Sequence, residues 1–95
     1  MKVEYSRRAI HDLHQIASDS HAFGTVVAEA AEIRISDAIA QIAWYPESAR
    51  EVPERPGVRV VPLVRLPFSI FYRILPDRIL ILHIRHTSRE QWSTD

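Results

Sequence analysis

The sequence predicts an α+β fold, with a short N-terminal strand and a helical hairpin packed on one face of a curved antiparallel β-sheet. Three observations carry that expectation. Apolar residues recur at helical spacing through the first half of the chain. A stretch containing Pro46, Pro53, Pro56 and Gly57 then breaks the pattern and reads as an extended loop over 46–57. Beyond it the residues become β-branched and aromatic, with turn chemistry at short intervals. No internal repeat or low-complexity segment is present, and 95 residues make a single domain, 1–95.

Each element has its own justification. Lys2 to Tyr5 alternates briefly and predicts a short strand. Ser6 stands where an N-cap belongs, its hydroxyl available to the free N–H groups of a first helical turn. Ala9, Leu13, Ile16 and Ala17 recur at helical spacing, and Ile10 widens the stripe. Ser18, Asp19, Ser20 and His21, followed by Gly24, are expected to interrupt that helix. A longer helix is predicted from Thr25 to about Trp44, with Val27, Ala31, Ile35, Ala38, Ile39 and Ile42 on its apolar face. Pro46 stops it, because proline lacks an N–H and pushes its predecessor out of the helical region. Two helices with a short link make an antiparallel hairpin. Three strands are predicted after the loop: Val58 to Val64, Phe68 to Leu75, and Ile79 to Arg85. Pro62 belongs at a sheet edge or a bulge, and Pro76-Asp77-Arg78 supplies the last turn.

Composition narrows the class. There are no cysteines, which excludes disulfides and thiolate metal sites and suits a reducing compartment. The N-terminus MKVEYSRRAI has no apolar core of signal-peptide length, and the longest apolar run, Ile79 to Leu82, is strand-sized. A cytoplasmic protein without membrane association is expected. The net charge of zero conceals a segregation. Residues 1–48 hold four basic groups (Lys2, Arg7, Arg8, Arg34) against seven acids, a net of −3; residues 49–95 hold eight arginines against five acids, a net of +3. Every cation of the second half is arginine, whose planar fork suits carboxylate or phosphate better than a lysine point charge. Such asymmetry marks either an interaction face or a solvated sheet surface.

Strand parity gives these arginines an expected place. Burying the wholly apolar sets against the helices leaves Arg59, Arg65, Arg73 and Arg85 on or near the open face of the sheet, an anion-seeking cluster. His11 and His14 share a helix but have no further ligand type at useful spacing, so no metal is expected, and no cofactor. Trp92 serves either as a packing anchor or as part of a target-binding tail.

The string VPLVRLPFSIFYRILPDRILILHIRHTSRE resembles the C-terminal sheet of the RelE/ParE superfamily of toxins. The resemblance rests on Arg65-Leu66-Pro67-Phe68, Phe71-Tyr72-Arg73 and His86-Thr87-Ser88-Arg89, in that order and spacing. The start Val3-Glu4-Tyr5-Ser6, the hairpin, and the Tyr45-Pro46-Glu47-Ser48 stop fit as well, so it covers nearly the whole chain. It implies the toxin of a type II toxin–antitoxin (plasmid stabilisation) pair, held in a hetero-oligomer by a cognate antitoxin. The antitoxin is expected to fold on binding in the groove between hairpin and sheet. Val26, Val27, Ile35 and Trp44 are the candidates to meet it.

Two activities follow from the resemblance. RelE-like members cleave mRNA on the ribosome, which needs a base, an acid and cations for the developing phosphorane charge. Arg59, Arg65, Arg73, Arg85 and Arg89 are the candidate cations, His86 or His83 the acid or base, and Glu51 or Glu54 a further base. ParE-like members inhibit DNA gyrase without chemistry of their own, and need only a shaped, charged surface. For that surface the candidates are Arg65, Arg73, Arg85, His86 and Arg89. The neutral total charge favours the gyrase reading, since ribosome-directed nucleases draw most of their RNA affinity from phosphate attraction.

Overall fold

The computed structural model describes residues 1–87. Its elements run β1 (Lys2–Tyr5), α1 (Arg7–His21), α2 (Thr25–Trp44), β2 (Arg50–Glu51), β3 (Val58–Pro62), β4 (Phe68–Ile74) and β5 (Arg78–His86). The five strands form one sheet in the order β1-β5-β4-β3-β2. All neighbours are antiparallel except β1, which lies parallel to β5. The α+β class read from the sequence is therefore the architecture found. Arg89 and Trp92 lie outside the described residues.

Helix α1 begins as its sequence dictates: Ser6 is extended, and its Oγ accepts from the Ala9 N–H at 3.0 Å. The expected break at Ser18 does not occur, and the helix continues to His21. Its last turn faces water, where the Gln15 side chain donates to Asp19 at 3.3 Å and local polar groups carry no penalty. The reversal falls instead at Gly24, whose φ of 108° only glycine adopts without strain. Helix α2 is apolar around much of its circumference. One side buries Ala28, Ala31, Ile35 and Ile42, while Val26 and Ile33 remain exposed.

The main core lies between the hairpin and the sheet. Ile16, Ile35 and Ile42 meet Leu63, Ile70, Tyr72, Ile79, Ile81 and Ile84 there. Fully burying side chains of this size contributes about 1.5–3 kcal/mol each. A second, smaller cluster occupies the opposite face, where Val52, Val58, Val60 and Phe71 gather with Leu82 against them. The proline-rich loop folds back to provide Val52, whose N–H donates to the Val58 carbonyl at 2.8 Å.

Strict alternation, which would set Leu80, Leu82 and Ile84 on one face of β5 and leave Arg59 on or near the open face, fails in both places for physical reasons. On β5 a bulge opposite Phe71 and Tyr72 inserts an extra residue, so Ile81 pairs with Tyr72 while His83 pairs with Phe71. That insertion resets the alternation. Ile79 and Ile81 join Ile84 toward the helices, and Leu82 turns outward. On β3 the residues facing the helices are Val61 and Leu63, and Val58 and Val60 face away. Arg59 shares the Val61 side, so it is not on the open face as expected. Its Nη1 instead donates to the carbonyls of Glu47 and Ala49, at 3.1 and 2.6 Å. Tyr72, fully buried, donates its hydroxyl to the Pro46 carbonyl at 2.5 Å beside it. Burial pushes the Tyr72 phenol above its ordinary pKa, opposed by the nearby Arg59 cation. The pair fastens the chain where α2 gives way to the loop.

Strand β1 reaches only as far as Ile81 along β5. Beyond it the backbone edge is covered by groups from the start of α1. Ser6 donates from its N–H to the Ile81 carbonyl at 2.9 Å and from its hydroxyl to the Leu82 carbonyl at 2.7 Å. Asp12 accepts the Ile84 N–H at 2.9 Å. One element thus satisfies an edge that a longer strand would otherwise have to pair. Among the described residues no helix is long and apolar enough to cross a membrane.

Candidate functional site

The sheet face away from the helices assembles the charged side chains. Its register places Arg50, Val60, Phe71 and His83 in one row across β2, β3, β4 and β5. Val58, Arg73 and Leu80 form a flanking row, and Pro62, Ser69 and Arg85 the other. Phe71, 6% exposed, is the hub. The His83 ring stacks on it at 5.9 Å between centroids and 26° between planes. The Arg85 guanidinium carbon lies 5.7 Å from its centroid, within cation–π reach. Arg73 sits four β4 residues from the Arg85 level, roughly 13 Å along the strand direction. Its position is fixed by the loop: a Cβ built on Gly57 would lie 2.7 Å from Arg73 Nη1.

His83 is held by α1. Arg8 Nη2 approaches His83 Nε2 at 3.4 Å, and Asp12 Oδ2 lies 2.7 Å from Nδ1. A guanidinium can only donate, so Nε2 accepts, and Nδ1 carries the proton that Asp12 receives. Burial lowers the His83 pKa below its ordinary value; the Asp12 hydrogen bond opposes that shift, and the Arg8 and Arg85 cations reinforce it. The ring is therefore neutral near pH 7.

The residues singled out in the sequence scatter over several places. Arg73 and Arg85 share the outer face. Arg65 stands in the β3–β4 connection at φ 65°, fully outside the sheet rows. His86 pairs with Phe68, which packs toward the helical core, so it lies on the other face from Arg73 and Arg85. Its ring meets Phe68 edge-on at 5.1 Å. Glu51 pairs with Arg59 and shares that other face, while Glu54 lies in the loop before β3. Among the antitoxin candidates Ile35 is only 6% exposed and belongs to the core, at the floor of the cleft between α1 and α2 that it helps to line. Val26, Val27 and Trp44 are exposed on α2, Trp44 at 79%. His11 and His14 are exposed on α1, and among the described residues no three potential ligands gather.

Sequence reasoning missed Arg8, Asp12 and Arg50. Arg8 and Asp12 are four apart on one helix, a visible pairing, but only the packing of α1 on β5 brings them to His83. Arg50 stood in a segment read as loop. The charge count also changes meaning. Arg78 is neutralised by Glu4 at 2.7 Å and Asp77 at 2.8 Å, and Arg59 is occupied by backbone carbonyls. Among the described residues, Arg50, Arg73 and Arg85 lie in the outer rows, and Arg55 and Arg65 stand in the loops before and after β3.

Comparison with known proteins places this arrangement. Residues 3–91 match the family described as "ParE toxin of type II toxin-antitoxin system, parDE". Among solved structures, a chain of the chromosomal ParDE toxin–antitoxin system from P. aeruginosa is 30% identical, with a TM-score of 0.80, covering 90% of this chain and 95% of that one. The isolated E. coli RelE toxin superposes with a TM-score of 0.68 at 11% identity, covering 98% of this chain and 90% of that one. A chain of the intact E. coli RelBE complex gives 0.65 at 12% identity, with 87% and 92% covered. Those two likenesses concern the fold alone. No curated protein matches the chain. With the family match spanning nearly all of its length, the chain belongs to the ParE toxin family of type II toxin–antitoxin systems.

Proposed function

We propose that this ParE-type toxin acts in the cytoplasm by inhibiting DNA gyrase, as part of a plasmid stabilisation system, and is neutralised by a cognate antitoxin. The observation that carries the reading is the separation of the groups a nuclease would need. Arg73 and Arg85 lie on the outer face, whereas His86, opposite Phe68, and Glu51, opposite Arg59, lie on the other. His83 shares the outer face, but its Nδ1 is engaged by Asp12 and its Nε2 by Arg8. An acid, a base and phosphate-binding cations are thus not focused on one point among the described residues. A cationic face around a buried aromatic remains well suited to an acidic protein surface.

The antitoxin reading is supported by a cleft of about 470 Å³ between α2 and the outer end of β3. Ala38 and Ile42 line one side and Val61 and Leu63 the other. Strand β2 pairs with β3 only at Arg59 and Val60, so the cleft adjoins backbone that no strand covers. An extended or helical segment has both apolar contacts and an edge to use there.

The deciding experiment sets the two targets side by side. Purified toxin is expected to block supercoiling by gyrase and leave ribosome-bound mRNA intact, with Arg73→Ala reducing the block at least tenfold. Cleavage of mRNA between codons in a translation extract, lost in Arg73→Ala, would replace this reading with the RelE-like one.

A further inference from the structure

Helix α2 carries a second pattern besides its core face. Val26, Ala30, Ile33, Asp37, Ala40 and Trp44 follow a spacing of four and three in strict alternation. All six are exposed; Val26 is 80%, Ile33 59% and Trp44 79% accessible. A four–three repeat is the spacing of a two-stranded coiled-coil seam, and on this 20-residue helix it points to solvent. Val26, Ile33 and Trp44 thus align on one outward face of the helix instead of being scattered over it.

We infer that this seam pairs with a second copy of the chain, the two α2 helices running antiparallel about a two-fold axis near residue 35. Symmetry and charge favour that occupant. A two-fold interface must be self-complementary, so each seam residue has to suit the one it meets. In the antiparallel register Val26 meets Trp44 of the second copy, a large apolar pair. Ala30 meets Ala40, which lets the helices approach closely at that level. Ile33 meets Asp37, and Arg34 on the seam's flank lies beside the Asp37 of the other helix. Two aspartates and two arginines then surround the axis with no net charge. The parallel alternative stacks Asp37 on Asp37 and is disfavoured by like-charge repulsion. The outward stripe is distinct from the apolar cleft between α1 and α2, which Leu13, Ile16, Ala28 and Ile39 line from the other side of the helix, whereas Arg34 and Asp37 also border the cleft between α2 and β3.

A 20-residue helix is about 30 Å long, so one helix pair buries less than the roughly 1,600 Å² of a standard interface. The dimer is therefore expected to be a weak one. The inference does not depend on which target the toxin attacks.

Sedimentation of the purified chain across the micromolar range tests it. The wild type is expected to pass from monomer to dimer, and Ile33→Glu to weaken the dimer at least tenfold with an unchanged circular dichroism spectrum. Arg34→Asp and Asp37→Arg should each weaken it, and the double variant should recover most of the loss. The chain has no cysteine, so Ser36→Cys introduces a single thiol beside the axis. Mild oxidation should link two such chains. A wild type that stays monomeric, a dimer indifferent to Ile33→Glu, or a charge swap without recovery overturns the proposal. So does a monomeric chain in which Ile33→Glu abolishes antitoxin binding, because the seam then belongs to the antitoxin.

Discussion

Gly57 sits at φ 84° with the Arg73 guanidinium where a side chain would project. Alanine there meets two penalties: a left-handed backbone, costing about 1–2 kcal/mol, and a contact that displaces Arg73. Gly57→Ala is therefore expected to lower stability by about that amount and to weaken target inhibition as Arg73→Ala does. Chemical denaturation and the supercoiling assay, run on the same preparation, check both. Retention of full inhibition at reduced stability would show that the position of Arg73 is unimportant. Arg65 is the one non-glycine residue with positive φ among the described residues. Backbone strain of this kind tends to persist where it positions a group that something else uses. The sequence offered Arg65 and Arg73 as members of one cluster, yet nothing in either residue's neighbours along the chain revealed that a glycine would aim one of them and a strained turn the other. Arg59 shows the same limit: an arginine that satisfies two loop carbonyls is indistinguishable in sequence from one that awaits a ligand.

At the scale of elements, the contact of α1 with β5 holds the site together. Asp12 receives the Ile84 N–H and the His83 Nδ1–H with one oxygen, and Arg8 lies 3.6 Å from the other. Asp12→Ala leaves a half-buried backbone donor and a ring donor unsatisfied, at a cost of about 2–3 kcal/mol. Asp12→Asn keeps one acceptor and is expected to cost about half as much. Urea titrations of the two variants should separate them in that order; equal losses would mean that the carboxylate matters only as a volume. The positions of the elements were largely legible beforehand. The serine cap, the long second helix and the proline stop declare themselves through local geometry. The bulge in β5 did not, because a run of Ile79, Leu80, Ile81 and Leu82 is apolar on both parities. Only pairing with Tyr72 and Phe71 decides which pair faces the helices. Strand β2 was invisible for a related reason: two residues carry no period.

Over the whole molecule the charge segregation becomes two-sided in part, with an acidic helical hairpin on one side of the sheet and Arg50, Arg73 and Arg85 on the other, while Arg59 stays on the helix side. The protonation of His83 links that arrangement to pH. Burial lowers its pKa in the fold below the unfolded value of about 6.5, so protons bind the unfolded chain more readily. The stabilising contribution is complete above about pH 6.5 and is lost as the pH falls below it. Melting temperatures measured between about pH 7.5 and about pH 5 should decline, and His83→Asn, which keeps a donor for Asp12, should decline less steeply. Coincident slopes would assign the acid limb to other groups. What the sequence alone determined was the class of fold, the order and approximate limits of its helices and main strands, and the family, since these rest on periodicity, capping and stop signals local to each segment. The tertiary structure decided which faces those strands present, because a single inserted residue inverts a period of two. It also decided which arginines are available. Apart from the adjacent Asp77, the partners on which Arg59 and Arg78 spend their charge lie 10 to 74 residues away, and Arg8 and Asp12 reach His83 across more than 70, separations over which local sequence carries no record of contact.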